Sequence, residues 1–180
     1  LLRMAFFIPY ISSAVALAAV FKFMFRDDGV INSILLALGV KNPPQWFVSL
    51  QLNKIPIIVM VIWTAVGYEL VIYMSALQSV PASLYEAADI DRATGVQKFF
   101  YITLPMVSPT TFYLVIVRMI AVFKIFSSVN IMTMGSPSYA NTSMVVEIYG
   151  NAFGSYKFGY AAAQSMVLFV LILVITLLNF

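Results

Sequence analysis

The sequence lacks two residue types altogether, since its 180 residues include no cysteine and no histidine. Without cysteine there is no disulfide framework, no thiolate metal site and no cysteine nucleophile. Without histidine, the commonest general base and the commonest transition-metal ligand are also missing. We therefore expect no catalytic residue, no metal site and no cofactor in this chain.

Charge is also scarce. Only 9% of the residues are charged and 62% are hydrophobic, whereas soluble domains carry about 25% charged residues. The mean hydropathy of +0.97 agrees, so most of the exterior must face lipid. Aromatic residues make up 15% of the chain, which excludes a disordered protein. The ten basic and seven acidic residues are scattered, which argues against a nucleic-acid surface.

Four apolar stretches are long enough to cross a bilayer, which takes about 20 helical residues. Because their hydrophobic runs are continuous, they predict helices and not the strands of a barrel. The fold class is therefore all-α, a polytopic transmembrane helical bundle forming one domain over residues 1–180. The chain begins without methionine and its last apolar run reaches the final residue, so we expect a fragment of a longer protein. The predicted spans are residues 4–24, 55–77, 106–129 and 159–180.

The first connection, residues 22–54, predicts a short amphipathic helix. Its apolar side chains recur at helical spacing from Ile31 to Leu38, and Gly39 follows as a stop signal. Trp46 is expected to be an aromatic residue at the membrane interface.

The second connection, residues 78–105, carries the strongest functional signal. A helix is predicted from about Ser79, with small residues at Ala87 and Ala88 and a break at Gly95. The small side chains allow a partner's surface to approach closely, and the acidic ones keep the segment out of lipid. A helix of this kind suits docking into a groove of another protein, although a plain surface linker is the simpler alternative.

The order of residues in this segment resembles the EAA motif of ABC-transporter permeases. Glu86-Ala87-Ala88 is followed at the family's spacing by Ile102, Leu104 and Pro105. Arg92 departs from the pattern, because the family usually has glycine there and arginine does not adopt glycine's conformations. The resemblance implies coupling to an ATPase through Glu86, Ala87, Ala88, Asp91, Ala93, Gly95, Ile102, Leu104 and Pro105.

Further segments are similar to maltose-type (MalF-like) sugar permeases, namely residues 28–32, 76–81, 132–137 and 159–163. The resemblance implies a MetI/MalF-like permease fold in a bacterial cytoplasmic membrane, with about two spans missing before Leu1. It also implies three kinds of partner: a second permease subunit, a pair of cytoplasmic ATP-binding subunits and an extracytoplasmic sugar-binding protein. The chain itself has no GxxxxGK[ST] phosphate-binding loop, so ATP hydrolysis is expected on a partner chain and this chain is not an enzyme.

The orientation in the membrane is a point of disagreement. Lysine and arginine favour the cytoplasmic side, and residues 22–54 hold four of them against two in residues 78–105. The charge rule therefore points the EAA loop outward, though weakly. The family resemblance places that loop in the cytoplasm, and we follow the resemblance.

Two charges, Glu69 and Arg118, lie inside predicted spans, where an ionisable group is costly and suggests a function. Counted from the loop side, their depths are about 12 and 18 Å, which their side chains can bridge. They either form a structural ion pair, line a sugar path together with Thr64 and Tyr68, or extend to polar surface. An unpaired Arg118 would favour an anionic sugar.

Two alternative functions remain, a secondary transporter that uses Glu69 for ion coupling and a scaffold protein without a substrate.

Overall fold

The computed structural model describes residues 2–134 and 141–179, and within these ranges the chain is helical without strands. Two of the helical segments are π-helical turns, Phe99–Thr103 and Gly150–Gly154. The α-helices are α1 Leu2–Ile11, α2 Ala14–Met24, α3 Val30–Ala37, α4 Ile55–Gln78, α5 Ala82–Ile90, α6 Gly95–Lys98, α7 Leu104–Phe123, α8 Ser127–Met132, α9 Met144–Tyr149 and α10 Phe158–Leu178.

Three helical segments of the described residues are long and apolar enough to cross a membrane: Ile55–Gln78, Gly95–Phe123 and Phe158–Leu178. The first and last correspond to the predicted spans 55–77 and 159–180. The predicted span 106–129 differs at both ends. Its helix already begins at Gly95, through α6 and a π-helical turn, and it ends at Phe123, with Ser127–Met132 forming a separate helix.

The predicted span 4–24 is two helices, with the break at Ser12 and Ser13. The Ser12 hydroxyl donates to the carbonyl of Ile8 at 2.8 Å, which supplies a partner at the end of α1. The Ser13 side chain accepts from the amide of Ala16 and so caps the start of α2. Serine competes with the helical backbone in this way, and a hydrophobicity count does not detect it.

The buried core lies where α2, α4 and α8 meet. Phe21, Phe25, Met60 and Met132 are almost fully buried there. Lys22 adds a polar contact, because its ammonium donates to the carbonyl of Ile131 at 3.0 Å. The short helix α8 is therefore held against α2 by both apolar packing and a hydrogen bond.

The predicted amphipathic helix is present as α3, and Gly39 follows it with a φ of 91°, which suits glycine. Asn32, 2% exposed, organises the surrounding loop. Its amide donates to the carbonyls of Asp27 and Pro44, and its oxygen accepts from the indole of Trp46 at 2.8 Å. The Trp46 ring also packs edge-on against Phe25. Trp46 thus helps to close this loop through Asn32 and Phe25, and the interfacial position predicted for it stays a prediction.

The spanning helices keep much of their apolar surface uncovered. On α10, Met166, Val167 and Phe169 are each more than half exposed. Such a surface suits lipid or neighbouring membrane helices.

In the segment 132–137 that is similar to maltose-type permeases, residues 135–137 lie outside the described residues.

Candidate coupling loop and translocation path

The EAA segment forms the helix α5, which follows Pro81 and has no buried residue. Glu86, Ala87 and Asp91 are exposed, whereas Ala88 and Ala93 are half-buried. The predicted helix is therefore present, and the face that carries Glu86 and Ala87 is open to a partner.

The end of α5 depends on Arg92. The amide of Ala93 donates to the carbonyl of Ala88 at 2.9 Å, and the amide of Arg92 donates to the carbonyl of Asp89 at 3.0 Å. This pair of bonds is a Schellman motif, whose turning residue takes a left-handed conformation and is usually glycine. Arg92 takes that conformation, with a φ of 56°. The departure from the family pattern is therefore located at a backbone position that favours glycine.

Gly95 does not end the helix, contrary to the expectation from the sequence. The helix already ends at Ile90, and Gly95 is the first residue of α6. Thr94 caps α6 in a capping box with Gln97, in which each side chain accepts from the backbone amide of the other residue. The turn between the two helices is thus fixed by Arg92 and Thr94.

Two side-chain contacts attach α5 to the helix that follows it. The ammonium of Lys98 forms an ion pair with Asp89. The hydroxyls of Tyr85 and Thr103 share a hydrogen bond of 2.8 Å. Together with the Schellman motif, these contacts make residues 82–103 one folded unit.

A π-helical turn joins this unit to α7. The amide of Leu104 donates to the carbonyl of Phe99, five residues back, in place of the usual four. Pro105 is the second residue of α7 and has no amide hydrogen, and in a regular helix its ring would crowd the carbonyl of Tyr101. The wider turn accommodates the proline, so the helix runs from Gly95 to Phe123 without a break.

The outer surface of the loop is apolar at several positions. Ile90 is 84% exposed, Tyr101 80% and Val96 68%. Beside them Glu86 and Asp91 are also exposed. Large exposed apolar side chains of this kind suit contact with another protein or with lipid.

The antiparallel helices α4 and α7 share three polar contacts along their length. The hydroxyl of Tyr73 donates to Thr111 at 3.0 Å. The hydroxyls of Tyr68 and Tyr113 lie 3.4 Å apart, and further along Arg118 binds Glu69. These contacts fix the register of the two spans that flank the EAA loop.

Arg118 and Glu69 form the ion pair that one interpretation of the sequence expected. The Nε of Arg118 lies 2.6 Å from Oε1 of Glu69, and its Nη2 donates to the carbonyl of Ala65 at 3.0 Å. The guanidinium carbon lies 5.4 Å from the centre of the Tyr68 ring. The two side chains are 29% and 33% exposed, so the pair is locked between helices while one edge remains open.

Two further tyrosines that the sequence did not indicate join this site. Tyr10 of α1 stacks on Tyr68, with ring centres 5.0 Å apart, and Tyr113 contributes its hydroxyl. Both are about half exposed. Thr64, which we expected on the path, donates its hydroxyl back to its own helix.

The contact between α1 and α4 that brings Tyr10 to the site depends on Gly67. A Cβ at Gly67 would lie 2.1 Å from the carbonyl oxygen of Phe6. Only glycine permits the two backbones to approach so closely. Its position in the sequence gives no sign of this, because the contact joins residues far apart in the chain.

These features define a polytopic helical membrane protein with an exposed helical loop between two spans and a polar, aromatic cluster between its helices. The chain belongs to the family described as binding-protein-dependent transport system inner membrane component, which it matches over residues 1–180. The predicted permease fold and the location in a bacterial cytoplasmic membrane are thereby confirmed.

Individual relatives are similar along almost the whole chain. The lactose transport system permease protein LacF of Rhizobium radiobacter is 35% identical over 100% of this chain and 62% of its own length. The arabinooligosaccharides transport system permease protein AraP of Halalkalibacterium halodurans is 34% identical, over 98% of this chain and 57% of its own. The sn-glycerol-3-phosphate transport system permease protein UgpA of Yersinia enterocolitica is 32% identical, over 96% and 59%.

Among solved structures, the chain resembles a bacterial ABC transporter involved in the import of the acidic polysaccharide alginate. The TM-score is 0.87 at 25% identity, covering 99% of this chain and 63% of that one. A second structure of a bacterial alginate ABC transporter, in complex with an alginate pentasaccharide-bound periplasmic protein, matches with the same TM-score. The chain thus spans about 60% of the length of the relatives it matches.

Proposed function

We propose that this chain is part of a permease subunit of an ABC importer that moves a sugar or oligosaccharide across the cytoplasmic membrane. Its relatives include permeases named for lactose and arabinooligosaccharides, and the solved structures it resembles import a polysaccharide. Relatives named for sn-glycerol-3-phosphate leave the charge of the substrate open. The chain supplies part of the path and the coupling loop, and ATP is hydrolysed on other subunits.

One observation carries the proposal: the EAA loop is an exposed helix joined rigidly to a membrane span. Tyr85 and Asp89 attach α5 to the stretch that continues into α7, and Arg118 lies on α7. Closure of an ATPase pair that grips α5 would therefore shift α7 against α4, where the polar cluster lies. The surface that the ATPase pair would contact consists of Glu86, Ala87 and Asp91, together with the exposed side chains of Ile90 and Val96.

The remaining partners follow from the same family membership. The family description names a binding-protein-dependent system, which supports delivery of the sugar by an extracytoplasmic binding protein. Because this chain leaves large apolar faces uncovered, a second permease subunit completes the pore. The EAA loop lies in the cytoplasm and residues 22–54 lie on the opposite side.

The candidate path is the face that Tyr10, Tyr68 and Tyr113 share beside the Arg118–Glu69 pair. Aromatic rings pack against the CH faces of sugars, and phenol hydroxyls bond sugar hydroxyls. Thr64 lies one turn from Tyr68 on the same helix face and keeps its oxygen as an acceptor. The alternative, ion coupling through Glu69 in a secondary transporter, is disfavoured because that carboxylate is engaged by Arg118.

The test is sugar uptake by the complete importer, with full-length permeases, ATPase pair and binding protein reconstituted in liposomes. Glu86→Lys with Ala87→Trp is expected to abolish ATP-driven uptake, because it reverses the charge and fills the close-approach surface of α5. The sugar affinity of the binding protein should not change. Asp27→Lys, which makes the same reversal of charge at an exposed position of the other loop, is the matched control and should transport normally. Full uptake by the α5 variant, or uptake driven by an ion gradient without ATP, would contradict the proposal.

A further inference from the structure

We infer that the path in this chain is built for an uncharged carbohydrate and selects against uronate and phosphorylated solutes. This inference rests on the proposed function and deepens it by assigning the charge class of the substrate. It follows from the way in which Arg118 and Lys22, the basic residues of α2, α4, α7 and α10, are engaged.

Arg118 is the cation of the candidate path, and protein groups surround its guanidinium on three sides. Glu69 neutralises it at 2.6 Å, the carbonyl of Ala65 accepts from Nη2, and the Tyr68 ring covers one face. In a medium of low dielectric constant, an incoming anion would have to displace Glu69 and leave that carboxylate without a partner, which is strongly unfavourable. At this point an anionic sugar therefore meets a repelling carboxylate and an arginine whose charge that carboxylate already balances.

Lys22 is the other basic residue within α2, α4, α7 and α10, and it does not supply the missing charge. Its ammonium donates to the carbonyl of Ile131, beside the apolar core between α2 and α8. Thus neither cation in these four helices is presented to the tyrosine cluster as a free charge.

The tyrosines left exposed at the cluster are neutral. Tyr10 and Tyr113 are 45% and 50% exposed, and the hydroxyl of Tyr113 lies 3.4 Å from that of Tyr68. Phenol hydroxyls both donate and accept hydrogen bonds, as sugar hydroxyls do. Their chemistry matches a neutral glycan and offers a carboxylate or phosphate no compensation for its lost hydration.

The experiment measures ATP-dependent uptake by the complete reconstituted importer from matched pairs of labelled trisaccharides. Glucose, galactose and mannose trimers are each compared with the corresponding uronate trimer, and uptake is divided by the occupancy of the binding protein, measured separately. We expect the neutral member to enter about tenfold faster per occupied binding protein. Equal or faster uptake of a uronate would overturn the inference while leaving the importer assignment intact. Absence of ATP-dependent uptake for every sugar that the binding protein holds would overturn both.

A pair of variants tests the role of the ion pair itself. Glu69→Gln keeps the shape of the side chain and uncovers the charge of Arg118, so the ratio of uronate to neutral uptake should rise about tenfold. Adding Arg118→Gln should return the ratio to its original value. An unchanged ratio in the Glu69→Gln importer would overturn the inference. If that variant does not assemble, the comparison of trisaccharides by the unmodified importer decides alone.

Discussion

Arg92 shows how one residue can conflict with the backbone position it occupies. With a φ of 56°, it takes a left-handed conformation that costs a non-glycine residue about 1 kcal/mol. It persists because the Schellman bonds from Ala93 and from its own amide require this turn. The strain therefore lies in the loop proposed to contact the ATPase, where strained residues are often functional.

Replacing Arg92 with glycine should stabilise the end of α5 by about 1 kcal/mol, because glycine has no Cβ to strain. Hydrogen exchange of the Ala93 amide, which bonds Ala88, should slow accordingly. Arg92→Ala is the control, since it removes the guanidinium but keeps the strain, and its exchange should stay as in the original protein. If exchange of the Ala93 amide slows equally in Arg92→Gly and Arg92→Ala, the guanidinium side chain and not the backbone conformation would be the source of the strain.

Gly67 is the residue on which the contact between α1 and α4 depends. In Gly67→Ala the new methyl group would lie 2.1 Å from the Phe6 carbonyl, so α1 must move away and Tyr10 must leave Tyr68. We expect a loss of about 2 kcal/mol, as for overpacking elsewhere, seen as a lower unfolding temperature in detergent. Gly159→Ala is the matched control, because nothing lies within 4 Å of its added Cβ. A similar loss in both variants would contradict the close-approach explanation.

At the scale of elements, the coupling proposed for α5 requires that this helix remain attached to the π-helical turn. Two contacts make the attachment, the Tyr85–Thr103 hydrogen bond and the Lys98–Asp89 ion pair. A hydrogen bond of this kind contributes about 1 kcal/mol, and a largely exposed ion pair contributes less. Their sum is small enough for two conservative substitutions to loosen the loop without unfolding the spans.

Tyr85→Phe combined with Asp89→Asn should therefore uncouple the loop. Hydrogen exchange of α5 amides should become about tenfold faster, in line with the loss of roughly 1.4 kcal/mol. In the complete importer, the sugar transported per ATP should fall. Asp27→Asn, an exposed charge change on another loop, should alter neither quantity. Faster exchange with unchanged transport per ATP would show that a rigid attachment is unnecessary for coupling.

The sequence predicted helices correctly where the pattern that defines them is local. The amphipathic spacing from Ile31 to Leu38 predicted α3, and the lengths of the apolar runs predicted α4 and α10. It failed where side chains redirect the backbone. Ser12 and Ser13 divide one apolar run into two helices, and Pro105 is accommodated by a π-helical turn, so the third span continues back to Gly95.

The candidate site was predictable only in part, for a related reason. Glu69 and Arg118 are detectable because charges in spans are rare, and the difference between their depths is small enough for their side chains to bridge, which suggested a pair. Tyr10 and Tyr113 carry no such signal, since tyrosine is common in this chain, with ten copies. Their membership of the site depends on how α1 and α7 cross α4, which is a property of the tertiary structure.

At the scale of the whole molecule, the open problem is the direction in which the chain crosses the membrane. Residues 22–54 hold Lys22, Arg26, Lys41 and Lys54, more basic residues than the EAA loop. The structure places the first of them, Lys22, within α2, where it donates to the Ile131 carbonyl next to the apolar core. Topology follows the bias of basic residues near span ends over the whole protein, of which this chain covers a part.

These 180 residues contain no cysteine, so this orientation is directly measurable in an importer whose other cysteines, where present, are replaced. Single Ala87→Cys and Lys41→Cys variants introduce one thiol each at exposed positions, on α5 and on the loop after α3. With a membrane-impermeant maleimide, Cys at position 87 should react only in inside-out vesicles and Cys at position 41 only in right-side-out vesicles. ATP-binding subunits in the assembled importer should protect position 87, because that face of α5 is the surface they would grip, and should leave position 41 unaffected. Labelling of position 87 from outside would place the acidic helix beyond the reach of any cytoplasmic ATPase, and the importer mechanism proposed for this chain would then be wrong.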